Sequence, residues 1–325
     1  MTGLSRVYVT GGNGFLGSSV VAALAASADV ALVVSGDIRD PDPLTRTAGV
    51  IYERADVTDA AALPPQFARH RIDTVVHLAS IVNPGASTTV AQEYRVDVDG
   101  SRAVLEAALA AGVRRVVVSS SGAAYGYHSD NPEWLVETDS LRGNDSFPYS
   151  RHKRLVEEML AGYRSTHPEL EQVVFRVGTI LGPTVSNQIT ALWDQRRVLA
   201  IRGAASPFVF AWVDDVVGAM VQAVVGDTTG IFNVAGDGRL TVDQIAGVLG
   251  KKTLVLPAGL LALALRVGHA LRLTVHGPEQ VKFLRYRPVL LNTRLKTEFG
   301  YRPRLTSREA FDRYCATKGL GGGSR

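Results

Sequence analysis

Tyr149 and Lys153 stand four residues apart in the run PYSRHK, which begins at Pro148. If this segment is a helix, the phenol and the ammonium share a face, because residues four apart are neighbours on a helix surface. A free tyrosine titrates at about pH 10, and a nearby positive charge favours the phenolate and lowers that value. Tyr149 could therefore donate or accept a proton at a carbonyl or alcohol oxygen. The spacing also occurs by chance on exposed helices, so it does not establish catalysis by itself.

Hydroxyl groups gather at the end of a predicted buried strand, in the run SSSGAAYG over Ser119–Gly126. A hydroxyl at this position could hydrogen-bond the same substrate oxygen as Tyr149. The alternative is a polar exit from a strand into a loop, in which the serine side chains cap the backbone.

A glycine-rich turn, TGGNGFLG over Thr10–Gly17, follows the first predicted strand and opens the first predicted helix. Its glycines satisfy both G-x-G-x-x-G and G-x-x-G-x-x-G. Glycine permits a tight turn and a close approach of the backbone to a pyrophosphate, which then lies at the positive N-terminus of the helix. An ordinary glycine turn is the alternative, but the position between strand and helix predicts dinucleotide binding.

Asp37 lies twenty residues beyond Gly17, at the end of the second predicted strand. A carboxylate there could accept hydrogen bonds from both hydroxyls of the adenosine ribose, which favours NAD. Arg39, two residues later, could instead hold a 2′-phosphate, so NADP is not excluded.

The elements that must position these groups alternate between short β-branched runs and Ala/Leu-rich amphipathic segments. Near-continuous apolar strands of this kind are covered on both faces, and the alternation predicts a doubly wound α/β fold with a parallel sheet. The predicted strands are Arg6–Thr10, Val30–Ser35, Thr74–His77, Arg115–Ser120 and Gln172–Val177. The predicted helices are Phe15–Ala26, Asp59–Arg69, Gln92–Ala111 and Tyr149–Arg164.

The chain is expected to divide into a dinucleotide-binding Rossmann domain over residues 1–177 and a smaller, mostly helical substrate domain over 178–207 and 237–318. The run IFNV at Ile231–Val234 is typical of a late strand, so about residues 208–236 are expected to return to the first domain. Residues 319–325 predict a flexible Gly-rich tail. Ligands of open α/β sheets bind beyond the carboxyl ends of the strands, which places the site in the cleft between the domains.

Composition narrows the class of protein. The 325 residues are 46% hydrophobic and contain one cysteine, Cys315, which excludes an internal disulfide and a Cys/His zinc cluster; no metal is expected. A strand-like run begins almost at the N-terminus, so a cytoplasmic protein without a signal peptide is expected. The apolar stretch Leu254–Leu265 is too short to span a bilayer, and no membrane partner is expected. It could pack in the core or face an apolar substrate.

The formal charge of +4 is unevenly distributed, because residues 266–325 hold 13 basic and 4 acidic side chains. This excess indicates either an anionic ligand or a solvated basic surface. Arg285 and Arg287 could grip an anionic group. The arginines follow no helix-turn-helix pattern and do not alternate with aromatic residues, so no nucleic-acid partner is expected.

Taken together, these motifs resemble the extended short-chain dehydrogenases/reductases, also called the NAD-dependent epimerase/dehydratase family. The glycine turn, the serine strand and the Tyr/Lys helix stand in the order and spacing of that family. Four further landmarks are HLAS at 77–80, RVGTILGP at 176–183, FAWVDDV at 210–216 and the closing segment 292–301. The resemblance covers about residues 5–314.

The resemblance implies NAD as the cofactor, a small-molecule substrate and a set of site residues. The implied cofactor-binding residues are Gly11, Gly14, Phe15, Leu16 and Gly17 at the pyrophosphate, Asp37 at the ribose, Asp56 and Val57 at the adenine, and further Asn13, Leu78, Ala79, Ser80, Ser119, Tyr149, Lys153 and Val177. The implied catalytic residues are Ser121, Tyr149 and Lys153. Tyr149 would be the acid/base, and Lys153 would hold the nicotinamide ribose and tune Tyr149.

Departures from the family pattern narrow the reaction. Gly122 and Ala123 stand where 4,6-dehydratases carry an acidic pair, which argues against that reaction here. Asp97 stands where many members have Asn. Gly178-Thr179 replaces an asparagine that contacts the diphosphate of sugar nucleotides, and the aromatic run 206–212 replaces a frequent arginine.

Three functions therefore stay open. The first is an NAD(P)-dependent oxidoreductase acting on a secondary alcohol or carbonyl carbon. The alternatives are a nucleotide-sugar 4-epimerase and a non-catalytic protein that senses the cofactor. Family members commonly pair through the helices that here fall near 92–111 and 149–164, so a homodimer is expected.

Overall fold

A seven-stranded parallel sheet forms the centre of the protein, seen in a computed structural model that describes residues 4–41, 43–85, 87–185, 187, 189–271, 277 and 279–320. Its strands are β1 Ser5–Thr10, β2 Val30–Asp37, β3 Ile51–Arg54, β4 Thr74–His77, β5 Arg115–Ser121, β6 Glu171–Val177 and β10 Gly230–Val234. They lie in the order β10-β6-β5-β4-β1-β2-β3. The order reverses between β1 and β4, which is where a doubly wound sheet opens its ligand crevice.

Eleven helices are found within the described residues. They are α1 Phe15–Ala25, α2 Leu63–Arg69, α3 Val90–Tyr94, α4 Gly100–Ala110, α5 Pro148–Thr166, α6 Val213–Val225, α7 Val242–Val248, α8 Ala258–Ala270, α9 Gln280–Arg285, α10 Thr293–Thr297 and α11 Ser307–Lys318.

Helices cover both faces of the sheet, as the apolar strands predicted. On one face α1 and α6 pack against alternate strand residues such as Val7 and Val9. On the other face α2, α4 and α5 pack against the intervening residues, among them Tyr8 and Val75. The period of two along each strand therefore divides the core into two layers, and the doubly wound α/β prediction is confirmed.

The predicted strands and helices are all present, with small changes at their ends. The sequence prediction lacked β3, whose four residues are partly exposed at the sheet edge and therefore do not form an apolar run. The predicted helix 59–69 begins only at Leu63, in α2. The predicted helix 92–111 is divided into α3 and α4 by a π-helical turn, Arg95–Asp99.

Two small parallel pairs flank the central sheet. The strands β7 Thr179–Leu181 and β9 Phe210–Trp212 form one pair, and β8 Arg197–Ile201 and β11 Lys252–Leu256 form the other. The run at 231–234 lies in β10, which pairs with β6 as the late-strand prediction required. The C-terminal region is mostly helical but also contains β11.

The apolar stretch at 254–265 covers β11 and the first half of α8. The prediction that this stretch packs in the core is wrong for the outward side chains of α8, since Leu260 and Leu263 keep more than half of their surface in solvent. Within the described residues, no helix is long and apolar enough to cross a bilayer. The last five residues of the predicted tail lie outside the described residues, and Gly319 ends α11 in the left-handed conformation.

Candidate active site

The glycine turn between β1 and α1 lies directly against the chain that follows β4. Gly11 has a φ of +68°, and a Cβ added there would lie 2.8 Å from the backbone nitrogen of Ala79. A Cβ added at Gly17 would collide with the carbonyl oxygen of Gly11. At Gly14 the nearest atom to an added Cβ would be that same oxygen, at 3.2 Å. Phe15 and Leu16 open α1 at this point. This backbone cradle fits the close approach that a pyrophosphate at a helix N-terminus needs.

Asp37 ties the glycine turn to the end of β2. Its Oδ2 accepts a hydrogen bond from the Asn13 backbone nitrogen at 3.1 Å, and its Oδ1 accepts one from the Arg39 backbone nitrogen at 3.0 Å. The Asn13 side chain accepts from Ser35 Oγ and donates to the Arg39 carbonyl oxygen. The Arg39 side chain is 69% exposed, with Nε 3.7 Å from Asp37 Oδ1. The carboxylate therefore shapes the turn, and Arg39 is free to sample solvent.

The segment after β3 lies at the same edge of the sheet. Asp56 is exposed, and its Oδ1 accepts hydrogen bonds from the backbone nitrogen and hydroxyl of Thr58. Val57 is buried against α4, where a Cβ added at Gly100 would lie 2.6 Å from Val57 Cγ2. The Ala55 backbone nitrogen donates to the Asp37 carbonyl oxygen at 2.9 Å, so the segment that holds Asp56 and Val57 lies beside Asp37.

A buried hydrogen-bond chain supports the backbone of Leu78 and Ala79. Thr10 Oγ1 lies 2.7 Å from His77 Nδ1, and His77 Nε2 lies 2.9 Å from Ser101 Oγ. Since the Ser101 hydroxyl donates to the Asp97 carbonyl oxygen, His77 must donate through Nε2 and accept from Thr10 through Nδ1. Burial, reinforced by the Lys153 charge, lowers the pKa of His77 to about 4, so the imidazole is neutral at physiological pH.

Asp97, on the π-helical turn, connects the chain after β4 to α5. Its Oδ1 accepts hydrogen bonds from Ser80 Oγ and the Ile81 backbone nitrogen, both at 2.9 Å, and its Oδ2 lies 3.1 Å from His152 Nδ1. Burial opposes ionisation of this carboxyl, but the hydrogen bond with His152, the Lys153 charge and the two other donors outweigh it and lower its pKa. In the sequence Asp97 is a departure from the family pattern, and no local pattern indicates a role for His152.

Tyr149 and Lys153 lie in the first turns of α5, against the end of β5. Lys153 is 8% exposed, and its Nζ donates to the Ser119 carbonyl oxygen at 3.1 Å and lies 5.7 Å from the centre of the Tyr149 ring. Ser121 ends β5 and is paired in register with Val177 of β6. Its Oγ accepts from the Ala123 backbone nitrogen, which leaves its own proton available for donation. The structure thus brings the predicted catalytic helix and serine strand together.

A buried ion pair lies beneath the serine strand. Glu157 of α5 accepts hydrogen bonds from Arg176 Nε at 2.8 Å and Nη2 at 2.6 Å, and from Ser120 Oγ at 2.5 Å. Arg176 Nη1 also donates to Tyr125 OH at 2.8 Å, and Tyr125 OH bonds Asn233 Oδ1. The sequence marked Arg176 only as a family landmark, and no local signal pairs it with Glu157.

Aromatic rings lie beside Tyr149. The ring of Phe283 lies 5.2 Å from Tyr127 and 5.7 Å from Phe147. Tyr149 packs against the same cluster, and burial raises the pKa of the Tyr127 phenol above its usual range, as does the nearby Tyr149. The surroundings of Tyr149 are therefore largely apolar.

Arg287, one of the two arginines that the sequence suggested for an anionic group, packs against these rings. Its guanidinium lies 3.8 Å from the centre of the Phe208 ring and 5.1 Å from that of Phe283. Nη1 donates to the carbonyl oxygens of Ser206 and Leu284, and burial lowers the pKa of Arg287 to about 9. Arg287 therefore stays charged at neutral pH.

Comparison with known proteins places this geometry in a family. The profile of the "NAD dependent epimerase/dehydratase family" matches residues 7–235. An uncharacterised protein of Mycobacterium tuberculosis is 28% identical over 319 residues, which are 97% of this chain and 84% of that protein. UDP-glucose 4-epimerase of Erwinia amylovora is 32% identical over 191 residues, 56% of each chain.

A solved structure shares the fold over the whole chain. UDP-glucose 4-epimerase of Thermus thermophilus in complex with NAD superposes with a TM-score of 0.74 at 23% identity, covering 98% of this chain and 100% of that one. The matched range, residues 7–235, spans the glycine turn, Asp37, the serine strand and the Tyr/Lys helix. The chain therefore belongs to the NAD-dependent epimerase/dehydratase family and is an NAD-dependent enzyme.

Proposed function

We propose that the protein is an oxidoreductase that transfers a hydride between nicotinamide and a secondary alcohol or carbonyl carbon, with Tyr149 as the acid/base. The observation that carries this proposal is the position of Lys153 between the Ser119 carbonyl and the Tyr149 ring, at the carboxyl edge of the sheet. NAD bound at this edge supplies the hydride acceptor or donor.

In the direction of oxidation, Tyr149 takes the hydroxyl proton of the substrate while the carbinol carbon loses its hydride. Ser121 donates a hydrogen bond to the same substrate oxygen and fixes its position while keeping its own proton, because the Ser121 oxygen already accepts from the Ala123 backbone nitrogen. Lys153 stabilises the phenolate and holds the nicotinamide ribose. In reduction, Tyr149 returns the proton to the carbonyl oxygen.

The cofactor is held by the cradle described above. Gly11, Gly14 and Gly17 with the backbone of Phe15 and Leu16 face the pyrophosphate, Asn13 and Asp37 lie at the adenosine ribose, and Asp56 and Val57 flank the adenine; Leu78, Ala79, Ser80, Ser119 and Val177 follow toward the nicotinamide. A buried carboxylate at Asp37 repels a 2′-phosphate, which supports NAD over NADP.

The substrate is a compact alcohol or ketone that fits among aromatic rings. Tyr127, Phe147 and Phe283 beside Tyr149 support an apolar body. A nucleotide-sugar 4-epimerase is the second candidate, supported by the Erwinia amylovora relative of that name. An epimerase returns the hydride to the other face of the same carbon and so accumulates no NADH.

Three further proposals concern organisation. The cofactor-binding domain consists of residues 1–177 and about 208–236, and the substrate domain consists of residues 178–207 and 237–318. The pairing of β10 with β6 supports this division.

A homodimer through α4 and α5 is supported by an open groove between them. A cytoplasmic location is supported by the lone, buried and unpaired Cys315.

The test is the change Tyr149→Phe. The variant should lose about 10²–10⁴-fold in kcat, because the phenol can no longer transfer the proton, while its NAD affinity stays that of the wild type. Turnover is followed by nicotinamide absorbance with a panel of secondary alcohols and ketones, and by isomer analysis with UDP-glucose. Tyr52→Phe, on β3, is the control and should retain turnover. Full activity of Tyr149→Phe would refute the mechanism, and isomerisation of UDP-glucose without NADH would select the epimerase.

A further inference from the structure

The outward side of α8 is apolar rather than polar. Leu260, Leu263 and Val267 follow one another at spacings of three and four residues, and Leu271 continues the row four residues on. Such spacing places them on one face of a helix. They are 54%, 55%, 49% and 63% exposed, respectively. We call these four residues the leucine face.

The strand before α8 also exposes apolar side chains, and because consecutive strand residues point to opposite faces, one of them can extend the leucine face. Leu254 and Val255 are 40% and 48% exposed, and Pro257 alone separates β11 from α8. Single exposed leucines are ordinary in proteins, but a contiguous apolar surface of this kind marks a place where something binds.

Positive charge surrounds this apolar surface. The segments 190–204 and 250–271, which hold β8, β11 and α8, contain six basic residues and one acidic residue, Asp194. The parallel pairing of β8 with β11 sets Lys252 beside Arg197, and the backbone of Arg202 bonds the Leu256 carbonyl at the end of β11 that leads into α8. Arg266 projects from α8 itself and is exposed. Cations therefore lie at both ends of the strand pair and on the helix.

We propose that the leucine face and its basic surround form a peripheral docking surface for a bilayer containing anionic phospholipids. An amphipathic helix of this kind lies in the plane of the interface with its apolar side chains among the acyl chains, and nearby lysine and arginine side chains meet the headgroup phosphates. With 13 residues α8 is too short to cross a bilayer, but a contact in the plane of the interface does not need a helix of spanning length. The proposal is independent of the reaction assigned to Tyr149.

Charge favours a lipid surface over a second copy of the same face. In a symmetric dimer the patch on one copy faces the same patch on the other copy. Each patch holds six basic residues and one acidic residue, so the net positive charges of the two copies would repel each other. Anionic headgroups complement the same charges.

The experiment measures co-sedimentation of the purified full-length protein with vesicles of phosphatidylcholine alone and of phosphatidylcholine mixed with phosphatidylglycerol. We expect binding to the mixed vesicles that weakens as salt is raised, because surface attraction is screened. Leu260→Glu with Leu263→Glu should reduce the partition coefficient at least about tenfold, and Arg196→Gln with Arg197→Gln by about fivefold for each charge removed.

Leu4→Glu with Val225→Glu is the matched control, since it places two acidic residues at exposed apolar positions outside this surface and should keep vesicle binding. NAD titration and thermal melting verify that each variant is folded. Absence of binding to the mixed vesicles by the wild type, or equal binding by the Leu260→Glu, Leu263→Glu variant, would overturn the proposal. It is also overturned if the wild type ignores vesicles and that variant changes the oligomer size in light scattering, because the surface would then be a subunit interface.

Discussion

His77 and Glu157 lie beneath the proposed catalytic groups and contact neither substrate nor cofactor in the mechanism. His77 holds Thr10 and Ser101 together below the chain that follows β4. Glu157 holds Arg176 and Ser120 below the serine strand. Both are almost completely shielded from solvent, so a change of charge at either should act on stability.

His77 should make stability depend on pH. Its folded-state pKa of about 4 lies below the usual value of 6.5, so the unfolded chain binds a proton first as the pH falls. Stability should therefore fall by up to roughly 3 kcal/mol between about pH 6.5 and pH 4, and this contribution should be constant below that range. His77→Gln should remove this part of the slope in urea unfolding at several pH values. His167→Gln, outside the hydrogen-bond chain, should keep it. An unchanged slope in His77→Gln would contradict the assignment.

Glu157 and Glu158 are adjacent on α5 and offer a matched pair. Glu157→Gln leaves the Arg176 guanidinium buried without its counter-charge, which should cost about 3–5 kcal/mol in the free energy of unfolding. Glu158→Gln breaks only an exposed pair with Arg154 and should cost less than about 0.5 kcal/mol. Denaturant unfolding measures both. Similar losses of unfolding free energy in the two variants would show that the buried ion pair stabilises the protein no more than the exposed pair does.

At the level of elements, the π-helical turn between α3 and α4, with the start of α4, contacts two separate parts of the proposed site, the chain after β3 and the chain after β4. The π-helical turn Arg95–Asp99 adds a residue to the helix and directs Asp97 toward Ser80 and His152. Immediately afterwards, Gly100 lets α4 approach Val57 after β3. One irregular helix thus fixes both the segment proposed at the adenine and the segment proposed near the nicotinamide.

Gly100→Ala should weaken both folding and NAD binding. The new methyl group would lie 2.6 Å from Val57 Cγ2, so α4 or Val57 must move, at a cost of about 1–3 kcal/mol. Gly247→Ala on α7 meets no atom within 4 Å and should gain about 0.5–1 kcal/mol from helix propensity. Thermal melts and NAD titration compare the two. A neutral Gly100→Ala would show that Val57 accommodates the methyl without shifting the site.

At the level of the whole molecule, two surfaces have different compositions. The groove between α4 and α5 is lined by apolar and aromatic side chains, among them Leu155, Met159 and Tyr163, and by one arginine, Arg102, with Thr166 and His167 at the end of α5. The leucine face lies on α8 and is surrounded by cations. The first is the surface proposed for a second copy of the chain and the second is the surface proposed for lipid, so the two contacts should be separable by mutation.

Met159→Glu should dissociate the proposed homodimer. Two carboxylates would be brought into one apolar interface, which should raise the dimer Kd by at least about 100-fold. Size-exclusion chromatography with light scattering should give twice the chain mass for the wild type and one chain mass for the variant. The Leu260→Glu, Leu263→Glu variant should remain dimeric. A wild type that elutes with the mass of one chain would contradict the dimer.

The sequence by itself determined those features that depend on residues close together along the chain. The glycine turn, the β-branched strands and the four-residue spacing of Tyr149 and Lys153 each follow from local chemistry. The strands and the helices between them predicted the doubly wound sheet correctly. The strand β3 was not predicted from the sequence, because an exposed strand at the edge of a sheet has no run of apolar residues.

Only the tertiary structure decided which distant residues pair and which surfaces stay in water. Arg176 and Glu157 are 19 residues apart, and Asp97 and His152 are 55 apart, yet each pair shares one buried site. The helix α8 has the composition of a core helix, yet its Leu260 and Leu263 side chains are more than half exposed. Pairing and burial depend on how whole elements pack, and a local pattern specifies a side chain's chemistry without specifying its neighbours.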